Sequence, residues 1–131
     1  MSRADPLQPT HVLLVEDHVQ LRGILQQTLC SEGFRVTATT SADQAQMILD
    51  SGAAIDILFS DIRMPGSLDG LQLARWVRQH YPAVSIILQT GFSNADTGEF
   101  QVLRKPFTPD ELCARLRAAI QQVNSLPIRA P

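Results

Sequence analysis

The chain has little cysteine, little aromatic content and no excess of basic charge. Its two cysteines, Cys30 and Cys113, stand far apart and form neither a CxxC pair nor a disulfide framework. That excludes a zinc ribbon and the small stapled scaffolds of secreted proteins. Both fall on expected helices, where an inert, partly buried thiol is the expectation. Lysine and arginine together number 11 against 13 acidic residues, a formal net charge of −2. With no basic run to offset it, the chain lacks the footprint of a nucleic-acid binder, and no direct nucleic-acid contact is expected. No apolar stretch reaches the ~18 residues that a transmembrane helix needs, so no membrane insertion of this domain is expected. Met1 to Thr10 carry neither the basic nor the apolar region of a signal peptide. A cytoplasmic location is therefore expected. Internal repeats and low-complexity stretches are also missing.

What is present is alternation. The 131 residues suit a single domain with one substantial core. Residues 1–10, with Pro6 and Pro9, read as a flexible tail or linker, residues 11–124 as the domain, and residues 125–131 as a C-terminal tail. Within the domain, short apolar runs (His11–Val15, Ile55–Ser60, Val84–Leu88) alternate with segments of helical spacing. Leu21, Ile24, Leu25, Thr28 and Leu29 form one stripe, stopped by Gly33, and Phe34–Thr39 follows as a β-branched strand. Ser41 is placed to cap a helix carrying Ala42, Ala45, Ile48 and Leu49, which Gly52 closes. Leu71, Ala74, Trp76 and Val77 mark a third helix, and Gln101–Arg104 a fifth strand. Thr108, Pro109 and Glu111 give the last helix a capping box around a proline at its first position. Strand–helix alternation of this kind predicts a parallel sheet covered on both faces. The most apolar strands, the first, third and fourth, should be central, and the second should be an edge. This is the doubly wound, flavodoxin-like (βα)5 three-layer sandwich with strand order 2-1-3-4-5.

In such a sheet, sites form beyond the carboxyl ends of the strands. Glu16 and Asp17 follow the first strand, Asp61 ends the third, Thr90 ends the fourth, and Lys105 follows the fifth. Carboxylates drawn to one rim repel each other unless their pKa values rise or a cation sits among them. Oxygen ligands in an open site suit Mg²⁺ better than a softer metal. A metal, a lysine and a hydroxyl around one aspartate are the parts that stabilise a phosphoryl group in transfer, with the carboxylate as nucleophile. Each residue alone has a plainer role: a turn aspartate, helix-capping carboxylates, a strand-ending threonine, a solvated loop lysine. Only their joint placement favours chemistry. His18, beside the acidic pair, reads as an exposed rim histidine, and Arg63 and Phe92 flank the expected phosphoryl position.

The segments VLLVED (Val12–Asp17), DILFSDIRMP (Asp56–Pro65), Asp69-Gly70, IILQT (Ile86–Thr90) and Lys105-Pro106-Phe107 resemble the motif set of response-regulator receiver domains, which are CheY-like. The resemblance covers roughly residues 11–124. It implies that Asp61 is the phosphoacceptor and that Asp17 and Asp61 ligate Mg²⁺ directly. It further implies that Glu16 acts on the metal through water and that the backbone carbonyl of Arg63 completes the protein ligands. Thr90 would hydrogen-bond the phosphoryl group and Lys105 would pair with the acidic cluster. The donor would be a phosphohistidine on a sensor histidine kinase or a histidine phosphotransfer protein. Such a domain promotes its own phosphorylation and dephosphorylation and is no enzyme in the ordinary sense. The runs TGFSN…VLRKPF and DIRMPG are most similar to receivers attached to hybrid sensor histidine kinases, whose kinase activity would lie outside this chain and which can be membrane-associated.

Other classes fit less well. A haloacid-dehalogenase-like phosphatase needs a second aspartate two residues after the first, and Arg63 stands there. A nucleotide switch needs a glycine-rich loop where Glu16-Asp17-His18 stand. A non-phosphorylated interaction module is the third alternative. Three departures from the family pattern are visible. One extra residue lies between Pro65 and Asp69, Val102 occupies a position that is often aromatic, and the connection after Thr90 is short. Returning along a strand of about 17–20 Å takes roughly 11–13 helical residues at 1.5 Å each, more than Gly91 to Phe100 supply. The fourth helix of the fold is therefore expected to be shortened or missing, and dimerisation through its face is not expected.

Overall fold

A computed structural model describes residues 9–63, 66, 68–91 and 99–125, with side chains described as far as residue 120. Five strands, β1 (His11–Val15), β2 (Arg35–Thr39), β3 (Ile57–Asp61), β4 (Ser85–Thr90) and β5 (Gln101–Arg104), form one parallel sheet in the order β2-β1-β3-β4-β5. Four helices accompany them among the described residues: α1 (Val19–Ser31), α2 (Ala42–Asp50), α3 (Gly70–His80) and α4 (Pro109–Ser125). The expected class and strand order are those found, and α4 runs one residue past the expected domain end.

Successive strand residues point to opposite faces, so a strand covered on both sides must be apolar throughout. Val12, Leu14, Ile57, Phe59 and Ile87 meet Leu25 and Leu29 of α1 and Leu112 and Leu116 of α4. Leu13, Val15 and Leu58 meet Ala45 and Leu49 of α2 and Leu73 and Val77 of α3. Each fully buried Leu, Ile or Phe contributes roughly 1.5–3 kcal/mol over its exposed state. Three expectations need correction. Ile24 is 61% exposed, because the buried face of α1 is centred on Leu25 and Leu29. Cys30 is exposed, while Cys113 is buried as expected. The buried stripe of α3 runs through Leu73, which the expected stripe omits.

The helix ends follow their capping chemistry. Ser41 Oγ accepts from Gln44 N–H, and Thr108 and Glu111 form the reciprocal box expected of α4. Asp69 and Gln72 form a second such box at α3. Gly33 and Gly52, with φ of 95° and 93°, turn the chain out of α1 and α2.

Between β4 and β5, the described residues Gly91, Glu99 and Phe100 lie in bends and turns, not in a helix. The rest of that connection, including Phe92 and the core of the shortened-helix and dimer-face expectations, lies outside the described residues. Arg75 and Arg78 of α3 hold Glu99 at 2.8 Å each, and the Arg78 guanidinium lies 4.4 Å above the Phe100 ring. The last part of the connection is thereby tied to α3. Of the loop between Pro65 and Asp69, Gly66 and Leu68 are described, Gly66 with a φ of 113°, and residue 67 lies outside the described residues. No helix among the described residues is long and apolar enough to cross a membrane.

At the opposite end of the sheet from the carboxyl rim, His11 is 7% exposed and bound on both ring nitrogens. Nδ1 lies 3.0 Å from the Ala54 carbonyl and Nε2 lies 2.7 Å from Thr37 Oγ1. A neutral ring donating to the carbonyl and accepting from the hydroxyl satisfies both. Burial holds the His11 pKa below its ordinary value, helped by the Arg35 charge and opposed by the Ala54 carbonyl and Asp56. The unfolded chain therefore binds this proton at a pH where the folded one does not, and stability falls as pH drops below about 6.5. Urea midpoints between about pH 7 and 5.5 should show that fall in the native protein. His11→Gln should lack this component, and equal pH slopes for the two proteins would contradict the assignment.

Candidate functional site

The parallel topology places the ends of β1, β3, β4 and β5 on one rim, where the five expected side chains are found. Asp61 closes the central strand β3 and is 8% exposed. Its carboxylate is held at both oxygens: the Arg63 backbone N–H donates to Oδ1 at 3.1 Å, and Lys105 Nζ donates to Oδ2 at 2.9 Å. Lys105 is positioned by the sheet itself, because its backbone N–H donates to the Thr90 carbonyl at 2.8 Å. Thr90 is 2% exposed at the end of β4, so hydroxyl and ammonium come from neighbouring strands. The Lys105–Pro106 peptide is cis. Below it, Phe107 meets Phe59 edge to face at 6.2 Å, tying the turn after β5 to the strand that carries Asp61.

Glu16 is 1% exposed, and its neighbour Asp17 faces solvent. Arg22 of α1 donates to the Glu16 carbonyl at 2.9 Å and fixes the loop that carries both. The Glu16 carboxylate accepts from the His18 backbone N–H at 3.1 Å and from Gln89 Nε2 at 3.0 Å. Burial pushes the Glu16 pKa above the ordinary carboxylate range, the His18 N–H pulls it back, and nearby Asp61 pushes it up again. His18 is exposed, as expected, but it has a structural role the sequence reading missed. Its Nδ1 accepts from Leu21 N–H at 3.2 Å and caps α1.

The carboxylates are neighbours and not a preformed cage. Among the described residues no three acidic, histidine or cysteine side chains are gathered closely enough to hold a metal by themselves. Lys105 is paired with Asp61, and Glu16 is bonded to Gln89. The donors still fit Mg²⁺. They are all oxygens, the buried Glu16 gains from a nearby cation, and Mg²⁺ usually keeps several waters and takes only one or two carboxylates.

Two residues in the quoted motifs went unassigned in the sequence. Gln89 is fully buried on β4, in register with Asp61, where a polar residue inside an apolar strand was the available signal. Gly70 opens α3, and its N–H donates to the Ile62 carbonyl at 2.8 Å. A Cβ on Gly70 would overlap the Asp61 carbonyl oxygen and come within 2.8 Å of the Asp61 carbonyl carbon and Ile62 Cα. Backbone cannot swing aside as a side chain can. Gly70→Ala should therefore cost about 1–3 kcal/mol in urea unfolding, typical of overpacking. A midpoint equal to the parent's would show that α3 yields freely there.

Comparison with known proteins gives a consistent result. The protein Protein PetR of Rhodobacter capsulatus is 37% identical over 122 residues, covering 88% of this chain and 50% of that protein. The DNA-binding transcriptional regulator NtrC of Klebsiella pneumoniae is 34% identical over 131 residues, covering 90% of this chain and 28% of that one. This chain thus spans half or less of the length of these two relatives. A solved response regulator receiver protein from Sinorhizobium medicae superposes with a TM-score of 0.77 at 34% identity, covering 91% of this chain and 98% of that one. Residues 12–117 match the response regulator receiver domain, and the chain belongs to that family.

Proposed function

We propose that this domain takes a phosphoryl group onto Asp61 from a phosphohistidine, in a Mg²⁺-dependent reaction that switches its conformation. The observation that carries the reading is the Asp61 carboxylate at the end of the central strand, oriented by Lys105 on one oxygen and the Arg63 N–H on the other. A carboxylate oxygen of Asp61 attacks phosphorus. The new O–P bond forms as the P–N bond to the donor imidazole breaks, and the electron pair leaves on that nitrogen, which takes a proton from water. Asp17, Asp61 and the Arg63 carbonyl would hold Mg²⁺, with Glu16 acting through water. The ion would supply positive charge against the repulsion between the carboxylate and the incoming anion. Lys105 supplies a fixed charge and the Thr90 hydroxyl a donor for phosphoryl oxygens as charge builds up. Because Thr90 and Lys105 are joined through the backbone across β4 and β5, their movement toward the new group would draw the ends of both strands with them.

The donor is a sensor histidine kinase or a histidine phosphotransfer protein, and the reaction belongs in the cytoplasm. Attachment to a hybrid sensor kinase rests on the motif runs alone, whereas NtrC is by name a DNA-binding regulator. The proposed chemistry is the same in either setting. The test is incubation with acetyl phosphate. One phosphoryl group should be taken up per chain with Mg²⁺ present and none after chelation. Uptake unaffected by chelation would overturn the metal role, and no uptake at all would favour an interaction module.

A further inference from the structure

We infer that Gln89 is a positioning residue for the Mg²⁺ site, acting through Glu16; this rests on the metal reading proposed above. Gln89 is fully buried on β4 directly opposite Asp61, and its backbone carbonyl accepts from Ile62 N–H at 3.0 Å. Its backbone thus supports the segment just past the phosphoacceptor. Its side chain reaches across to the residue just past β1, where Nε2 donates to Glu16 Oε1 at 3.0 Å.

A buried carboxylate with its second oxygen on the His18 N–H has only one remaining oxygen to orient, and Gln89 fixes it. An apolar residue of the same size would fill the space but leave that oxygen without its donor. Among the described residues the Gln89 amide oxygen has no hydrogen-bond partner, although it is buried. Keeping a polar side chain there carries a desolvation cost that packing alone does not require. The Nε2 contact to Glu16 is the gain that offsets it. Groups of this kind, bonded to a ligand side chain and not to the metal, typically change metal affinity 10–100-fold when lost. Gln89 should sit at the lower end, because Glu16 itself acts through water.

The experiment is Mg²⁺ titration by calorimetry on the whole chain, comparing the parent with Gln89→Met, Glu16→Ala and the double variant. Gln89→Met should weaken Mg²⁺ binding about 10-fold. In the Glu16→Ala background the same change should have no further effect, because the carboxylate that the Gln89 side chain orients has been removed. A purely structural role would lower the urea midpoint and leave the affinity alone. Gln89→Leu gives the same readout should the methionine variant fail to fold. Parent-like affinity in the Gln89 variants would overturn this inference while leaving the metal site standing, as would losses that simply add in the double variant. A parent protein that binds no Mg²⁺ would overturn the metal reading and this inference with it.

Discussion

Asp61→Asn is expected to take up no phosphoryl group from acetyl phosphate under conditions that modify the parent once. Asparagine keeps the shape of the side chain, and its amide oxygen can still accept from the Arg63 N–H that binds Oδ1 at 3.1 Å. What it loses is the charge. A neutral amide is a poor nucleophile toward phosphorus, and Lys105 loses the anion that it holds at 2.9 Å. Among the described residues neither neighbouring carboxylate is placed to substitute. Glu16 is buried with both oxygens already bonded, and Asp17, exposed next to it, would be engaged by the metal. The effect should therefore be loss of the reaction and not a modest slowing. Intact-protein mass spectrometry reads it directly, with urea midpoints showing that the variant still folds. A phosphoryl group found on folded Asp61→Asn would place the nucleophile elsewhere.

Phe59→Ala should produce the largest loss of stability, about 3–5 kcal/mol. Phe59 is fully buried in the middle of β3 and packs in the cluster formed with α1 and α4. Its ring meets Phe107 edge to face, so truncation opens a cavity and removes an aromatic contact together. Against a typical total of about 5–15 kcal/mol, this is enough to leave part of the chain unfolded at rest. The same cavity undercuts the turn that carries Lys105, so phosphoryl uptake by the folded fraction should also slow. Ile24→Ala, at an exposed position on α1, should stay within about 0.5 kcal/mol of the parent. Similar urea midpoints for the two variants would show that the sheet does not pack around Phe59 as described.

The parallel sheet and its order were legible in the sequence because burial on both faces forces continuous apolar runs. The edge position of β2 showed in its threonines and Arg35. Helix starts at Ser41 and Thr108 were legible because a cap is a local bond between residues three apart. The places of Glu16, Asp17, Asp61, Thr90 and Lys105 followed from one rule, that side chains past parallel strands share a rim. Only the tertiary structure decided how they are joined. Lys105 falls on Asp61 through the register of β4 and β5, and Gln89 reaches Glu16 across β3, contacts between residues far apart in the chain. The overlap that requires glycine at position 70 likewise exists only once α3 has docked against β3. Likewise Ile24, apolar and correctly spaced for burial, is left in solvent because α1 buries the face centred on Leu25 and Leu29. Periodicity and capping are properties of neighbouring residues and are written along the chain, whereas register, the choice of buried helix face and long-range polar pairing arise when separate segments pack together.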